Sequence, residues 1–280
     1  MYKVKIKQKL CNISFRCSNK HGNYRNTLRV GMDPHFAVPL SNGHNLCYSL
    51  QGIAHFVFNL ISDPLININA YFIPPKVESH LKEYSTFLGD VGIMIKSPKC
   101  LKNNKCAKKD IIKVEISAED NTVLLDTSKT AVIDKVVHVM VANNATTVQF
   151  GRRFKKKEQR YLIIEVKESH LAFRFQFMNG HLDMIILDLT GISDTAHGIM
   201  GQFLHREAAI DSDHQYLKIN NRVMKFEKLP GWDFLNHNDP CLHVKSEHGY
   251  QAEGIIEGTY TDYLVDSLFS TKFQYHQFSG

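Results

Sequence analysis

Apolar residues recur at every second position in run after run of this protein. In Ile66-Asn67-Ile68-Asn69-Ala70-Tyr71-Phe72 they fall on alternate residues, and Leu171, Phe173, Phe175 and Phe177 share one face opposite Arg174 and Gln176. Leu162, Ile164 and Val166 alternate with Ile163, Glu165 and Lys167, and Lys113-Val114-Glu115-Ile116 repeats the pattern. Successive side chains of an extended strand point to opposite faces, so a period of two marks half-buried strands. Turn signals separate the runs, among them Asn103-Asn104, Asn179-Gly180 and Pro230-Gly231. Asn179-Gly180, between the phenylalanine run and 182–187, predicts a hairpin. No long amphipathic helix is legible; the best helical turn falls at 201–206. Many short strands with spaced turns predict an all-β fold, an antiparallel β-sandwich of many short strands.

At 280 residues the protein is long enough for one large domain or two small ones. A hydrophobic content of 43% with 22% charged residues is that of an ordinary globular protein, and no apolar run approaches the roughly 18 residues of a membrane span. The opening MYKVKIKQKLCNISFRC carries basic residues without a continuous apolar core, so it does not read as a signal peptide. Residues 1–32 read as a polar, basic linker or tail, and 271–280 as a second tail.

Six cysteines permit 15 pairings. Cys11 and Cys17 lie close together, as do Cys100 and Cys106, while Cys47 and Cys241 stand alone. That spacing suggests Cys11–Cys17, Cys100–Cys106 and Cys47–Cys241 disulfides; six reduced thiols are the alternative. Asn12-Ile13-Ser14 and Asn144-Ala145-Thr146 fit the N-glycosylation pattern, with Asn12 and Asn144 as acceptors. Both features point to an extracellular (secreted) fold whose targeting region lies upstream of this sequence.

Asp33-Pro34-His35-Phe36 joins a carboxylate, an imide bond and an imidazole. The Asp33 carboxylate can attack its own carbonyl carbon, closing a five-membered anhydride as the C–N bond to Pro34 breaks. Pro34 is the leaving amine, in a tertiary amide less committed to the trans geometry than other peptide bonds. His35, with an ordinary pKa of about 6.5, is suited to protonate the departing nitrogen. Intramolecular attack gains effective molarities of roughly 10⁵–10⁸ M when geometry is right. Asp33, Pro34 and His35 are therefore candidate catalytic residues for self-cleavage, and water or a sugar hydroxyl would open the anhydride. Asp-Pro is equally a turn dipeptide, and Asp63-Pro64 and Asp239-Pro240 recur here without a following histidine.

The densest cationic run, Gly151-Arg152-Arg153-Phe154-Lys155-Lys156-Lys157-Glu158, accompanies a net charge of +6. Arg152, Arg153, Lys155, Lys156 and Lys157 are candidates to bind a sulfated glycosaminoglycan by counterion release; a solvated hairpin loop is the alternative. No nucleic-acid motif accompanies the charge. Fifteen histidines raise a metal reading. His197, His205 and His214 cluster in sequence, as do His237, His243 and His248, but none has helical metal-ligand spacing, so no metal and no cofactor are expected. Trp232 reads as a core or loop anchor. A Gly-x-Ser-x-Gly elbow, a phosphate loop and a dinucleotide fingerprint are all missing from the sequence, which argues against a turnover enzyme.

From Asp33 onward the sequence resembles the C-terminal domain of the inter-alpha-trypsin inhibitor heavy chains. The matching landmarks are Asp33-Pro34-His35-Phe36, Leu46-Cys47-Tyr48, His197-Gly198-Ile199-Met200-Gly201-Gln202-Phe203, Cys241-Leu242-His243-Val244, Thr261-Asp262-Tyr263-Leu264-Val265 and Leu268-Phe269. They occur in the family's order over residues 33–269, and place the domain at 33–270. The start and the His-Gly-x-x-Gly-Gln-Phe segment are also similar to von Willebrand factor type D modules, which open on Gly-Asp-Pro-His; here Met32 stands between Gly31 and Asp33. The resemblance implies cleavage between Asp33 and Pro34, with the C-terminal piece removed as a propeptide. It further implies esterification of Asp33 to chondroitin sulfate on bikunin and transfer to hyaluronan in the matrix. Residues 34–280 would then be the processing domain. Protease inhibition in that complex belongs to bikunin, so an inhibitor role would attach by family name alone. A non-cleaving glycosaminoglycan-binding β-sandwich module is the alternative function.

Overall fold

The computed structural model describes residues 28–31, 34–50, 53–75, 86–96, 111–120, 122–125, 129–132, 146–153, 159–166, 171–177, 180–188, 190–229, 241–244, 252 and 254–271. These form eighteen strands: β1 (Leu28–Gly31), β2 (His35–Pro39), β3 (Asn45–Ser49), β4 (Val57–Ser62), β5 (Ile66–Ile73), β6 (Phe87–Lys96), β7 (Ile111–Ser117), β8 (Thr122–Leu125), β9 (Lys129–Val132), β10 (Thr146–Arg153), β11 (Gln159–Val166), β12 (Leu171–Phe177), β13 (Leu182–Asp188), β14 (Ala208–Ile210), β15 (Tyr216–Ile219), β16 (Arg222–Leu229), β17 (Cys241–Val244) and β18 (Leu264–Val265). One short helix, α1 (Gly198–Gly201), and a 3₁₀ turn at Tyr260–Tyr263 complete the described elements. The all-β class expected from the alternating runs is the class observed.

Strand pairing builds two layers. One runs β9-β8-β7-β6-β5-β4-β18, antiparallel throughout. In the other, the meander β10-β11-β12-β13 continues through β1 into β2 and β3. From there β17 joins β3 in parallel, followed by β16, β15 and β14. A single pair, Leu182 with Leu88, ties β13 to β6. Inward residues of both layers meet in one core: Phe36, Val38, Leu46, Tyr48, Phe58, Leu60, Ile68, Phe72, Ile93, Val114, Ile116, Phe173, Phe175, Met184 and Ile186 are each fully buried. Each such large side chain removed from water contributes roughly 1.5–3 kcal/mol.

Local chemistry explains the turns. The connection from β2 to β3 passes through Ser41-Asn42-Gly43, where Gly43 has φ of +81° and supplies the left-handed conformation. The β15–β16 hairpin turns on Asn220-Asn221, Asn220 at φ +54°, a region that asparagine tolerates better than most residues. The expected hairpin after the phenylalanine run is formed, Phe177 pairing Leu182.

Three features differ from the reading of the sequence. Leu28–Gly31, at the end of the stretch read as a linker, are not a tail but a strand held between β2 and β13. The helical turn begins earlier than 201–206, at Gly198. Most informative is β5, whose alternate residues Asn67 and Asn69 are buried rather than facing water, at 7% and 0% exposure. The segment 266–271 crosses this face. Asn67 Nδ2 donates to Ser270 O at 2.6 Å, and Asn69 Nδ2 to Leu268 O at 3.0 Å and Ser270 O at 3.1 Å. Asn59 on β4 donates to both asparagines through Nδ2, at 2.7 and 2.8 Å. Opposite Asn69, Gly92 leaves room for the crossing segment, since a Cβ there would lie 2.5 Å from Leu268 O. The polar half of the alternation satisfies a crossing backbone instead of solvent.

Candidate functional site

His35 opens β2, and its Nδ1 lies 2.8 Å from Ser49 Oγ, the cross-strand neighbour at the end of β3. Pro34 is buried, and its carbonyl accepts a hydrogen bond from Leu50 N at 3.2 Å. On the other side of the junction Gly31 pairs with His35, so residues 32–34 connect two strands already in register. Asp33 itself lies outside the described residues. The Asp-Pro at Asp63 is committed to a turn. Asp63 Oδ1 accepts from Leu65 N at 3.0 Å, and Oδ2 accepts from Ser193 N at 2.9 Å and Ser193 Oγ at 2.5 Å, leaving that carboxylate fully engaged in holding the β4–β5 connection.

Landmarks far apart in sequence join through contacts that begin at this hairpin. Phe36 stacks on Tyr48, ring centroids 5.2 Å apart, and Tyr48 meets Phe203 edge-on at 5.5 Å. Such aromatic pairs contribute about 0.5–1.5 kcal/mol beyond area burial. The Tyr48 hydroxyl donates to Ile199 O at 2.8 Å, and burial holds its pKa well above the usual tyrosine value. Next to Phe203, Gln202 is 1% exposed and fully employed. Its Nε2 donates to Gly198 O at 2.9 Å and to Tyr263 Oη at 3.0 Å, while its Oε1 accepts from Glu257 N at 2.8 Å and Arg222 Nη2 at 3.2 Å. Tyr263 Oη donates its own proton to Glu257 O at 2.8 Å. Arg222 also donates to Ile255 O and sits over the Phe203 ring. Gln202 thus ties α1, the 3₁₀ turn, β16 and the 254–257 turn together.

His197 closes this cluster. Its ring lies parallel to that of Tyr263 at 5.9 Å, and Nε2 is 3.1 Å from Glu257 Oε2. Burial lowers the His197 pKa, with the Glu257 carboxylate opposing that fall less strongly. An unfolded histidine takes up its proton near pH 6.5, whereas the folded one resists it. Stability contributed by neutral His197 is therefore present above pH 6.5 and lost as the pH falls below it. Asp90 and Glu115, raised chiefly by burial, contribute with the opposite sign, gaining stability on acidification. The difference between wild type and His197→Gln isolates the histidine: the variant's chemical-denaturation midpoint is expected to fall less between pH 7 and pH 5. An identical fall would dismiss the assignment.

On the opposite face of β2 and β3, Cys47 and Cys241 form a disulfide with Cα atoms 5.7 Å apart, buried with Ala37. It staples the parallel β3–β17 pairing. Cys11, Cys17, Cys100, Cys106, Asn12 and Asn144 lie outside the described residues. Arg152 and Arg153 end β10, paired with Arg160 and Gln159 of β11; their side groups and Lys155, Lys156 and Lys157 also lie outside. His205 Nε2 is 2.8 Å from Ile192 O, and no group of three or more metal-ligating residues occurs among the described ones.

The reading of the sequence missed Ser49, Arg222, Glu257 and Asn59. Ser49 was recoverable: folding the backbone about Ser41-Asn42-Gly43 sets it opposite His35. Arg222 and Glu257 carry no local signal, because only tertiary packing brings them to Gln202.

A family model for the C-terminus of the inter-alpha-trypsin inhibitor heavy chains matches residues 65–229, spanning β5 to β16. The protein belongs to this family. Among curated relatives, inter-alpha-trypsin inhibitor heavy chain H2 of Sus scrofa is 26% identical over 273 residues, covering 87% of this sequence and 26% of that protein. The H2 proteins of Homo sapiens and Mesocricetus auratus are 26% and 23% identical over 271 and 265 residues, with the same coverage. The sequence spans about a quarter of the length of these relatives. The family-matched span contains His197–Phe203, the segment on which this C-terminal fold gathers its buried polar cluster.

Proposed function

We propose that this protein is a self-processing domain of an extracellular, matrix-associated heavy chain. It is cut between Asp33 and Pro34 and esterified through Asp33 to chondroitin sulfate, with later transfer to hyaluronan. The observation that carries the reading is the anchoring of the leaving side. Pro34 is buried and bonded through its carbonyl to Leu50, while His35 is oriented by Ser49. Strand pairing on both sides of the junction supports the reading, because intramolecular attack gains from a backbone held in place.

In the first step a bond forms from Asp33 Oδ to the Asp33 carbonyl carbon, and the bond to Pro34 N breaks. That nitrogen receives a proton from the His35 imidazolium and leaves as a secondary amine. In the second, a sugar hydroxyl or water adds to the former backbone carbonyl carbon and passes its proton to the now neutral His35 imidazole; the C–O bond to Asp33 Oδ breaks, giving an ester or a free α-carboxyl and regenerating the Asp33 carboxylate. Ser49 would set the ring tautomer and orientation of His35.

The test is intact-mass measurement of the folded protein during mildly acidic incubation. Pieces of 33 and 247 residues are expected, the latter being 280 minus 33, with Asp33→Asn unsplit. A wild-type protein that stays whole while folded refutes the reading. If that whole protein binds heparin in a salt-dependent manner, the non-cleaving glycosaminoglycan-binding module takes its place.

A further inference from the structure

The first strand occupies an unusual place for a segment at the edge of the sequence motif. Residue pairs Arg29–Ala37, Val30–Phe36 and Gly31–His35 bind β1 to β2, and Leu28–Ile186, Arg29–Ile185 and Val30–Met184 bind it to β13. Among the described pairings, β1 is the link between the β10–β13 meander and the half-sheet that begins at β2. Val30 is fully buried within the main core. Covalently, only residues 32–34 join β1 to β2.

We propose that the slot between β2 and β13 is a strand-binding site, and that its occupant, Leu28–Gly31, stays seated after the backbone between Gly31 and Pro34 is broken. The proposal deepens the self-cleavage reading and takes its biological occasion from it. Its physical basis is independent. A strand inserted between two others draws main-chain hydrogen bonds from both sides, while a pocket for one residue selects what enters; here the pocket is the one filled by Val30. Departure of β1 would open two sheet edges at once, each with a row of unpaired backbone groups. It would also leave a cavity in the core where Val30 had been. Scission would therefore break the backbone without by itself releasing the piece N-terminal to the cut, and removal of the C-terminal piece as a propeptide would require β1 to be withdrawn from the slot in a separate step. The ligand class is an extended segment with a small β-branched apolar residue at the position of Val30 and glycine beside His35.

The experiment uses the whole 280-residue sequence with Asp33→Asn, so that self-cleavage plays no part. A glycine/serine-flanked recognition sequence for a site-specific protease replaces Met32. After complete cutting, the two pieces are expected to co-elute on size exclusion in native buffer and to separate in 6 M urea (a concentration on the order that unfolds small domains). Separate elution in native buffer overturns the proposal. In the same background Val30→Ala is expected to speed loss of the N-terminal piece on dilution by about tenfold or more. Unchanged retention would show that the slot does not read that residue, and would overturn the specificity claimed for it. Intact mass of the uncut wild-type protein reports self-cleavage separately, so either idea can fail without the other.

Discussion

Gly198→Ala is expected to lower the melting temperature by about 6 °C or more, or to prevent folding. Gly198 has φ of +99°, where an L residue is strained by about 1–3 kcal/mol. Space is the second obstacle. A Cβ at this position would lie 2.6 Å from Asn59 Oδ1 and 2.6 Å from Leu60 O. Leu60 sits at the β4–β5 register shift between Asn59 and Ile61, which pair with Asn69 and Ile68 of β5, so its backbone has little freedom to move aside. Overpacking of this kind costs typically 1–3 kcal/mol more. The combined loss is about 3 kcal/mol or above, and 1 kcal/mol moves the midpoint of a domain this size by about 2–4 °C. Gly201→Ala is the matched control, because its Cβ would meet its neighbours at 3.5 Å, ordinary contact. Thermal unfolding followed by circular dichroism distinguishes the two; equal midpoints for the two variants would remove Gly198 from its assigned role.

Removing the Cys47–Cys241 bridge is expected to have a comparable effect by a different route. The bond closes a loop across a sequence separation of 194 residues. In the polymer-entropy model a loop of that length corresponds to about 5 kcal/mol of stabilisation through the unfolded state. It also holds the described parallel pairing, β3 with β17, through which β14–β16 reach the sheet that contains β2. The double variant Cys47→Ala, Cys241→Ala avoids leaving a free thiol. Its denaturant midpoint is expected to fall by about a third of the wild-type value or more, since native domains are stable by only about 5–15 kcal/mol, with new proteolytic sensitivity appearing first on the β14–β17 side. A midpoint within error of wild type would show that packing alone holds β17.

These two positions separate what was legible from what was not. Period-two runs exposed β5, β7, β11 and β12 directly, because core exclusion of water imposes the pleat's alternation on the residues. The same rule misjudged Asn67 and Asn69. Their spacing is that of solvent-facing residues, and nothing local indicates that residues 266–271 will cross them. His197–Phe203 was visible as a motif, yet its meaning was not: Gln202 is a hub only because Tyr263, Glu257 and Arg222 arrive from 20 to 61 residues away. The isolation of Cys47 and Cys241 marked them as a pair, while the parallel neighbours they staple emerged only with the topology.

The amino-acid order alone determined the all-β class and several of the strands, since alternation is written along the sequence. Tertiary structure alone decided that Leu28–Gly31 is an inner strand, that Ser49 faces His35, and that an amide and an arginine close the buried cluster. The physical reason is range. Pleating acts between neighbours in sequence, whereas burial, cross-strand register and the satisfaction of buried polar groups depend on which distant segments the fold brings into contact.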